Sequence, residues 1–148
     1  LIVYYSTYGH IHKMAEAIAE GLMAGGAQPK LMPLKSNHRS NVVTEILNAG
    51  ALVVGSPTLN NNMYPTVADM LTYLKGLKPK NLVGAAFGSY GWSGEAVGQV
   101  RAMLEEMKID LVDEGLRVKF VPDDDALKQC FDLGLQVAEK TKGLLEAA

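Results

Sequence analysis

The chain has 148 residues, 48% of them apolar and 20% charged, with a net charge of −2. That is one domain's worth of chain with enough apolar surface for a real core, and no broad basic field to attract nucleic acid or an anionic membrane. A single cysteine, Cys130, excludes an internal disulfide and suits a reducing compartment. No run of about 18 apolar residues is present, and the chain opens on apolar residues with neither an initiator methionine nor a leader. A cytoplasmic domain with trimmed ends, or one cut from a longer chain, is the expectation.

In chain order, Leu1 to Tyr5 reads as a short buried strand. From His12 to about Gly25, Met14, Ala15, Ile18, Ala19, Leu22 and Met23 recur at helical spacing, and Gly25-Gly26 supplies a stop. Lys30 to Leu34 is a second strand. A helix capped by Ser40 or Asn41 carries Val42, Val43, Ile46 and Leu47. Ala51 to Gly55 is a strand apolar on both faces, as the centre of a parallel sheet requires. Pro65 opens a helix with Val67, Met70, Leu71 and Leu74. Leu82 to Phe87 is a fourth strand, and Ala96 to Met107 a helix. Ile109 to Val121 is a final strand interrupted at Gly115, and Asp123 to Asp125 open the last helix. This alternation predicts an α/β three-layer sandwich, a five-stranded parallel sheet with helices on both faces. In such sheets ligands bind beyond the carboxyl ends of the strands, where the strand order reverses.

Three loops at those ends carry unusual residues. The first, Ser6-Thr7-Tyr8-Gly9-His10-Ile11, leads straight into a helix; hydroxyls, a glycine and successive N–H groups there can nest a phosphate. It lacks the lysine of a Walker loop and the three glycines of a dinucleotide fingerprint, which suits a monophosphate held without a metal. An ordinary capped turn is the plainer alternative. The second, Ser56 to Pro65, is longer than a plain connection and holds three consecutive asparagines, Asn60, Asn61 and Asn62. Asparagine tolerates left-handed backbone and offers both donors and acceptors, so this loop can meet the edge of a heteroaromatic ring or simply turn in solvent. The third, Gly88 to Glu95, concentrates Tyr90, Trp92 and three glycines, which would let a flat ligand approach the backbone and stack on a ring. Together the loops read as a site for a flat ring with a phosphate tail.

On Tyr5-Ser6-Thr7-Tyr8-Gly9, Val54-Gly55-Ser56-Pro57-Thr58-Leu59-Asn60-Asn61 and Ala86-Phe87-Gly88-Ser89-Tyr90-Gly91-Trp92-Ser93-Gly94, the chain resembles the flavodoxin superfamily. Over its whole length it most resembles the C-terminal FMN domain of flavodiiron proteins, also called A-type flavoproteins. The resemblance implies a flavodoxin-like fold with FMN as cofactor. Ser6, Thr7, Tyr8, Gly9, His10 and Ile11 would hold the phosphate. Pro57, Thr58, Leu59, Asn60 and Asn61 would contact one side and edge of the isoalloxazine. Ser89, Tyr90, Gly91, Trp92 and Gly94 would close the other side, with Trp92 or Tyr8 stacking. It further implies an electron relay from rubredoxin or a flavin reductase to a di-iron domain that reduces oxygen or nitric oxide, within a homo-oligomeric parent. The chain itself has only three histidines, His10, His12 and His38, and no carboxylate pattern to match them, so no metal site is expected.

Tyr8 and His10 stand where typical flavodoxins have threonine and asparagine, which makes His10 a pH-sensitive neighbour of the phosphate or a backbone cap. Asparagines replace a flexible glycine in the second loop, so a smaller peptide rearrangement and a less stabilised one-electron-reduced flavin are expected. Ser6 and Ser56 at the strand ends exclude a phosphoacceptor receiver domain. Gly91-Trp92-Ser93-Gly94-Glu95 lacks the last glycine of a hydrolase elbow, and no histidine follows His38. Cys130 lies in the last helix, away from any phosphatase loop. Two alternatives remain open: a stand-alone flavodoxin, and an NAD(P)H:quinone oxidoreductase of the WrbA type, whose opening Tyr4-Tyr5-Ser6-x-Tyr8-Gly9-His10-Ile11 also matches but whose relatives are longer.

Overall fold

A computed structural model describes residues 1–147, with side chains through residue 146. The sheet is parallel throughout. Strands β1 (Ile2–Tyr4), β2 (Leu31–Pro33), β3 (Ala51–Gly55), β6 (Val83–Tyr90) and β7 (Asp110–Leu111) lie in the order β2-β1-β3-β6-β7. A short strand β8 (Leu116–Lys119) also pairs with β6, further along it. The order reverses between β1 and β3, so the carboxyl ends of these two strands flank a crevice.

Helices α1 (His10–Ala24) and α5 (Asp124–Ala147) cover one face. Ile2, Tyr4, Val53, Ala85 and Phe87 point into that layer, against Met14, Ile18, Cys130 and Val137. Helices α2 (Arg39–Ile46), α3 (Pro65–Gly76) and α4 (Glu95–Glu106) cover the other, where Val3, Leu52, Val54 and Ala86 meet Val42, Met70, Leu71 and Val100. Alternate residues of each strand thus feed two separate cores, which is why β3 reads as unbroken apolar sequence. On the first face α1 and α5 approach through glycine. A Cβ on Gly134 would stand 2.2 Å from the Ile18 carbonyl oxygen, and one on Gly21 2.0 Å from that of Phe131.

The predicted elements are all present, with four differences. The fourth strand does not end at Phe87 but runs on to Tyr90, because β8 offers ladder partners to Phe87, Gly88, Ser89 and Tyr90. Gly88, Ser89 and Tyr90 are therefore strand, and the third loop shrinks to residues 91–94. The last strand is two strands: residues 112–115 leave the ladder where Gly115 adopts φ +103° and donates its N–H to Asp113 Oδ1 at 2.9 Å. The second helix is capped by His38 instead of Ser40 or Asn41, its Nδ1 accepting from the Ser40 N–H at 3.2 Å. The second loop also contains an unforeseen hairpin, β4 (Thr58–Leu59) with β5 (Asn62–Met63). No described helix is long and apolar enough to cross a membrane.

Candidate functional site at the carboxyl edge of the sheet

At the end of β1 the chain turns through Ser6 to Gly9 and starts α1. Gly9 takes φ 85°, a left-handed value that glycine adopts without strain. The Ser6 hydroxyl oxygen accepts from the Gly9 N–H at 3.1 Å and the His12 N–H at 3.3 Å, folding the loop over the amino end of the helix. That end carries the positive pole of the helix dipole and N–H groups without carbonyl partners inside the helix. Behind it the buried Tyr4 hydroxyl meets His12 Nδ1 at 2.5 Å, and His12 Nε2 lies 3.2 Å from Glu16. Burial, and then the Glu16 carboxylate, push the Tyr4 hydroxyl above its ordinary pKa. The His10 ring packs beside Tyr8, 6.5 Å between centroids.

At the end of β3, the Ser56 hydroxyl is wholly buried; it donates to the Pro57 carbonyl at 2.8 Å and accepts from the Tyr64 N–H at 2.9 Å. This closes the base of the hairpin. At its tip Asn60 and Asn61 take φ 51° and 63°, the paired left-handed values of the tight turn that suits twisted strands. Gln99 of α4 holds the hairpin from behind. Its Oε1 accepts from the Met63 N–H at 2.7 Å, and its Nε2 donates to Asn62 Oδ1 at 2.9 Å and to the Asn61 carbonyl at 3.3 Å. The Thr58 hydroxyl accepts from the Ala96 N–H at 3.3 Å, and Ser93 donates to Asn61 Oδ1 at 3.0 Å. The second and third loops are therefore one hydrogen-bonded unit.

Two adjoining hollows result. A cleft of about 280 Å³ is lined by Ser6, Thr7, Tyr8, His10, Ile11, Pro57, Thr58, Ser89, Tyr90 and Gly91, together with Phe120 and Val121 beyond β8. A shallower one of about 290 Å³ lies among Thr58, Asn60, Asn61, Trp92 and Ser93. Thr58 belongs to both, so they form one continuous path along the sheet edge. Tyr8 and Trp92 stand almost free in solvent, 86% and 94% exposed. A larger groove of about 430 Å³ lies at the opposite edge, around Leu1, Gly50 and Ala51. Its polar lining, Gln28, Lys30, Glu45 and Asn48, comes with no helix amino end, and strand topology favours the carboxyl edge.

Of the residues singled out from sequence, Gly9, Leu59 and Gly94 line neither hollow. Ile11 lines the cleft while its side chain is buried in the core, so it has only backbone to offer there. Gly91 of the third segment lines the cleft, while Gly88 and Gly94 have a packing reason as well. A Cβ at Gly88 would lie 2.3 Å from the Ser56 carbonyl oxygen, and one at Gly94 3.1 Å from the Tyr90 ring. Close internal packing requires them. Phe120, Val121 and Gln99 were missed, since each reaches the site from a segment remote in sequence; Ser56, named only as the start of the second loop, closes that loop on itself.

The sequence pattern of the flavodoxin family matches residues 2–134. The chain belongs to that family. An archaeal flavodoxin of known structure is 35% identical, superimposes with a TM-score of 0.86, and the match covers 95% of this chain and 97% of that one. The rubredoxin oxygen:oxidoreductase of Desulfovibrio gigas is 40% identical with a TM-score of 0.95, over 97% of this chain but 36% of that protein. A nitric oxide reductase of Moorella thermoacetica is 43% identical over 141 residues, which are 95% of this chain and 35% of the relative. The chain thus spans about a third of the length of these curated relatives. FMN is the cofactor of flavodoxins, and the residues at this edge fit it. Hydroxyls and a helix amino end suit a phosphate, a polar hairpin tip suits a ring edge, and exposed aromatic side chains suit a ring face.

Proposed function

We propose that this chain is the FMN-binding electron-transfer part of a flavodiiron-type protein. The observation that carries the reading is the continuity of the two hollows: a helix amino end and a polar hairpin beside Trp92 lie along one path, as a phosphate-tailed ring needs. Ser6, Thr7 and the N–H groups of Tyr8, His10 and Ile11 would hold the phosphate, with Gly9 turning the loop and no lysine or arginine in the lining. Pro57, Thr58, Leu59, Asn60 and Asn61 would meet one side and edge of the ring, and Ser89, Tyr90, Gly91, Trp92 and Gly94 the other. Bound FMN supplies one- and two-electron transfer. The protein's part is to fix the ring at the sheet edge, to shield its inner side and to offer backbone groups to its edge.

In this reading the chain is one domain of a longer, homo-oligomeric, cytoplasmic protein, loaded by rubredoxin or a flavin reductase and discharged into a di-iron domain. Likeness to oxygen and nitric oxide reductases over a third of their length supports it. The near-complete coverage of an archaeal flavodoxin favours a second reading, a free electron carrier. The mass of the native protein separates the two. The purified chain loaded with FMN is expected to show negligible NAD(P)H:quinone turnover; robust turnover would overturn the relay in favour of a quinone reductase.

A further inference from the structure

Six described residues other than glycine have left-handed φ. Asn60, Asn61 and Asn81 are asparagines, which tolerate it. Lys78 and Lys108 directly follow the last turns of α3 and α4, where such a residue is ordinary. Phe120, at φ 60°, has neither explanation. A bulky aromatic residue in this region is a true outlier, and such strain persists where the surroundings impose it, often at ligand sites.

The surroundings do impose it. The Phe120 N–H donates to the Tyr90 carbonyl at 2.7 Å, extending the β6–β8 ladder by one bond before the chain turns. The kink lays the ring beside Gly91: a Cβ there would be 3.8 Å from it. The ring is not sheltered in the core, since Phe120 and Val121 are each 59% exposed. Both line the cleft that also contains the Ser6–Ile11 loop. Within the fold the exposed ring meets the Gly91 backbone and the Lys119 ammonium, whose Nζ lies 5.3 Å from its centre, a surface contact worth about 0.5–1 kcal/mol. The ring gains more from a ligand.

We propose that Phe120 is a binding residue for the phosphate end of the cofactor, the water-excluding wall that the end of β8 supplies to the cleft. This rests on the FMN reading above. The lining of the cleft contains no lysine or arginine, so a phosphate there would depend on hydroxyls, N–H groups and the helix dipole. Such contacts strengthen steeply as water is displaced and the local dielectric falls. An apolar wall therefore acts on affinity through the phosphate contacts; the one charge against the ring among the described residues is Lys119, whose Nζ lies 5.3 Å from its centre. The wall should matter far more for FMN than for riboflavin, which has the ring but no phosphate.

The test is calorimetric titration of the wild-type chain, Phe120→Gly and Phe120→Leu with FMN and with riboflavin, at low and high salt, alongside melting of each ligand-free protein. Glycine accepts the left-handed backbone, so Phe120→Gly should melt no lower than wild type. It should bind FMN on the order of tenfold more weakly, with a steeper loss at high salt, while riboflavin changes by less than about twofold. Phe120→Leu keeps an apolar wall and should stay within about threefold of wild type for FMN. Unchanged FMN affinity in Phe120→Gly, an equal loss for both ligands, or a clear drop in its melting temperature would each overturn the proposal. A wild-type chain that bound no FMN would instead defeat the reading on which it rests.

Discussion

Replacing Gln99 with methionine keeps the length and volume of the side chain and removes its hydrogen bonding. Three bonds to the hairpin are lost. The bond from the Met63 N–H is partly buried, and leaving that donor with only a weak thioether acceptor costs about 1 kcal/mol. The two bonds from Nε2 are exposed and water replaces them, so together they add about 0.5 kcal/mol. A total of about 1–2 kcal/mol lowers the melting temperature of a domain this size by about 3–6 °C. The loss falls on the hairpin, which carries Asn60 and Asn61, so FMN affinity should drop several-fold as well. Gln99→Glu keeps the acceptor for Met63 and loses only the donated bonds, and should fall between. Differential scanning calorimetry and flavin fluorescence titration read both effects. A Gln99→Met protein with unchanged melting temperature and unchanged FMN affinity would refute the idea that α4 holds the second loop in place.

The α1–α5 contact gives a stability prediction away from the site. Gly134→Ala places a Cβ 2.2 Å from the Ile18 carbonyl oxygen and 2.8 Å from the Leu22 nitrogen, so the helices must part; a loss of about 2–3 kcal/mol should appear as a lower urea midpoint with unchanged slope. Burial pushes the Cys130 thiol from 9 up to about 12. The folded state then keeps its proton where the unfolded state has lost it, so this contribution to stability is full below pH 9 and is lost as the pH rises towards 12. Unfolding titrations from pH 8 upward should show the decline, and Cys130→Ala should flatten it. Asn60→Gly makes the hairpin tip easier to turn, and a redox titration of the FMN-loaded protein should show more one-electron-reduced flavin than wild type. Less, or the same, would remove the tip from redox tuning.

The fold was legible because β-branched runs and helical spacing alternate without ambiguity from Leu1 to the last helix. Strand limits were not. Nothing in Gly88-Ser89-Tyr90 distinguishes strand from loop until β8 arrives from twenty-nine residues further on to pair with it, Phe87 with Leu116 through Tyr90 with Lys119. The site was readable where local chemistry announces it: Ser6 to Ile11 before a helix, the asparagine run, and Trp92 among glycines. Gln99 and Phe120 were silent for one shared reason. An amide reaching from α4 and a strained aromatic residue beyond β8 are defined by distant partners, which spacing along the chain does not show. The glycines were visible, but the packing role of two of them was not. Gly88 and Gly94 make room for Ser56 and Tyr90, neighbours that only the tertiary structure supplies.

The most direct test of the central claim, that the carboxyl edge of the sheet holds FMN by its phosphate, is fluorescence titration of FMN into the ligand-free chain beside riboflavin. The account predicts saturable quenching at one FMN per chain, at least about tenfold tighter than riboflavin, with the difference abolished when Ser6 and Thr7 are both replaced by alanine. Equal binding of the two flavins, or no binding of FMN, would contradict it.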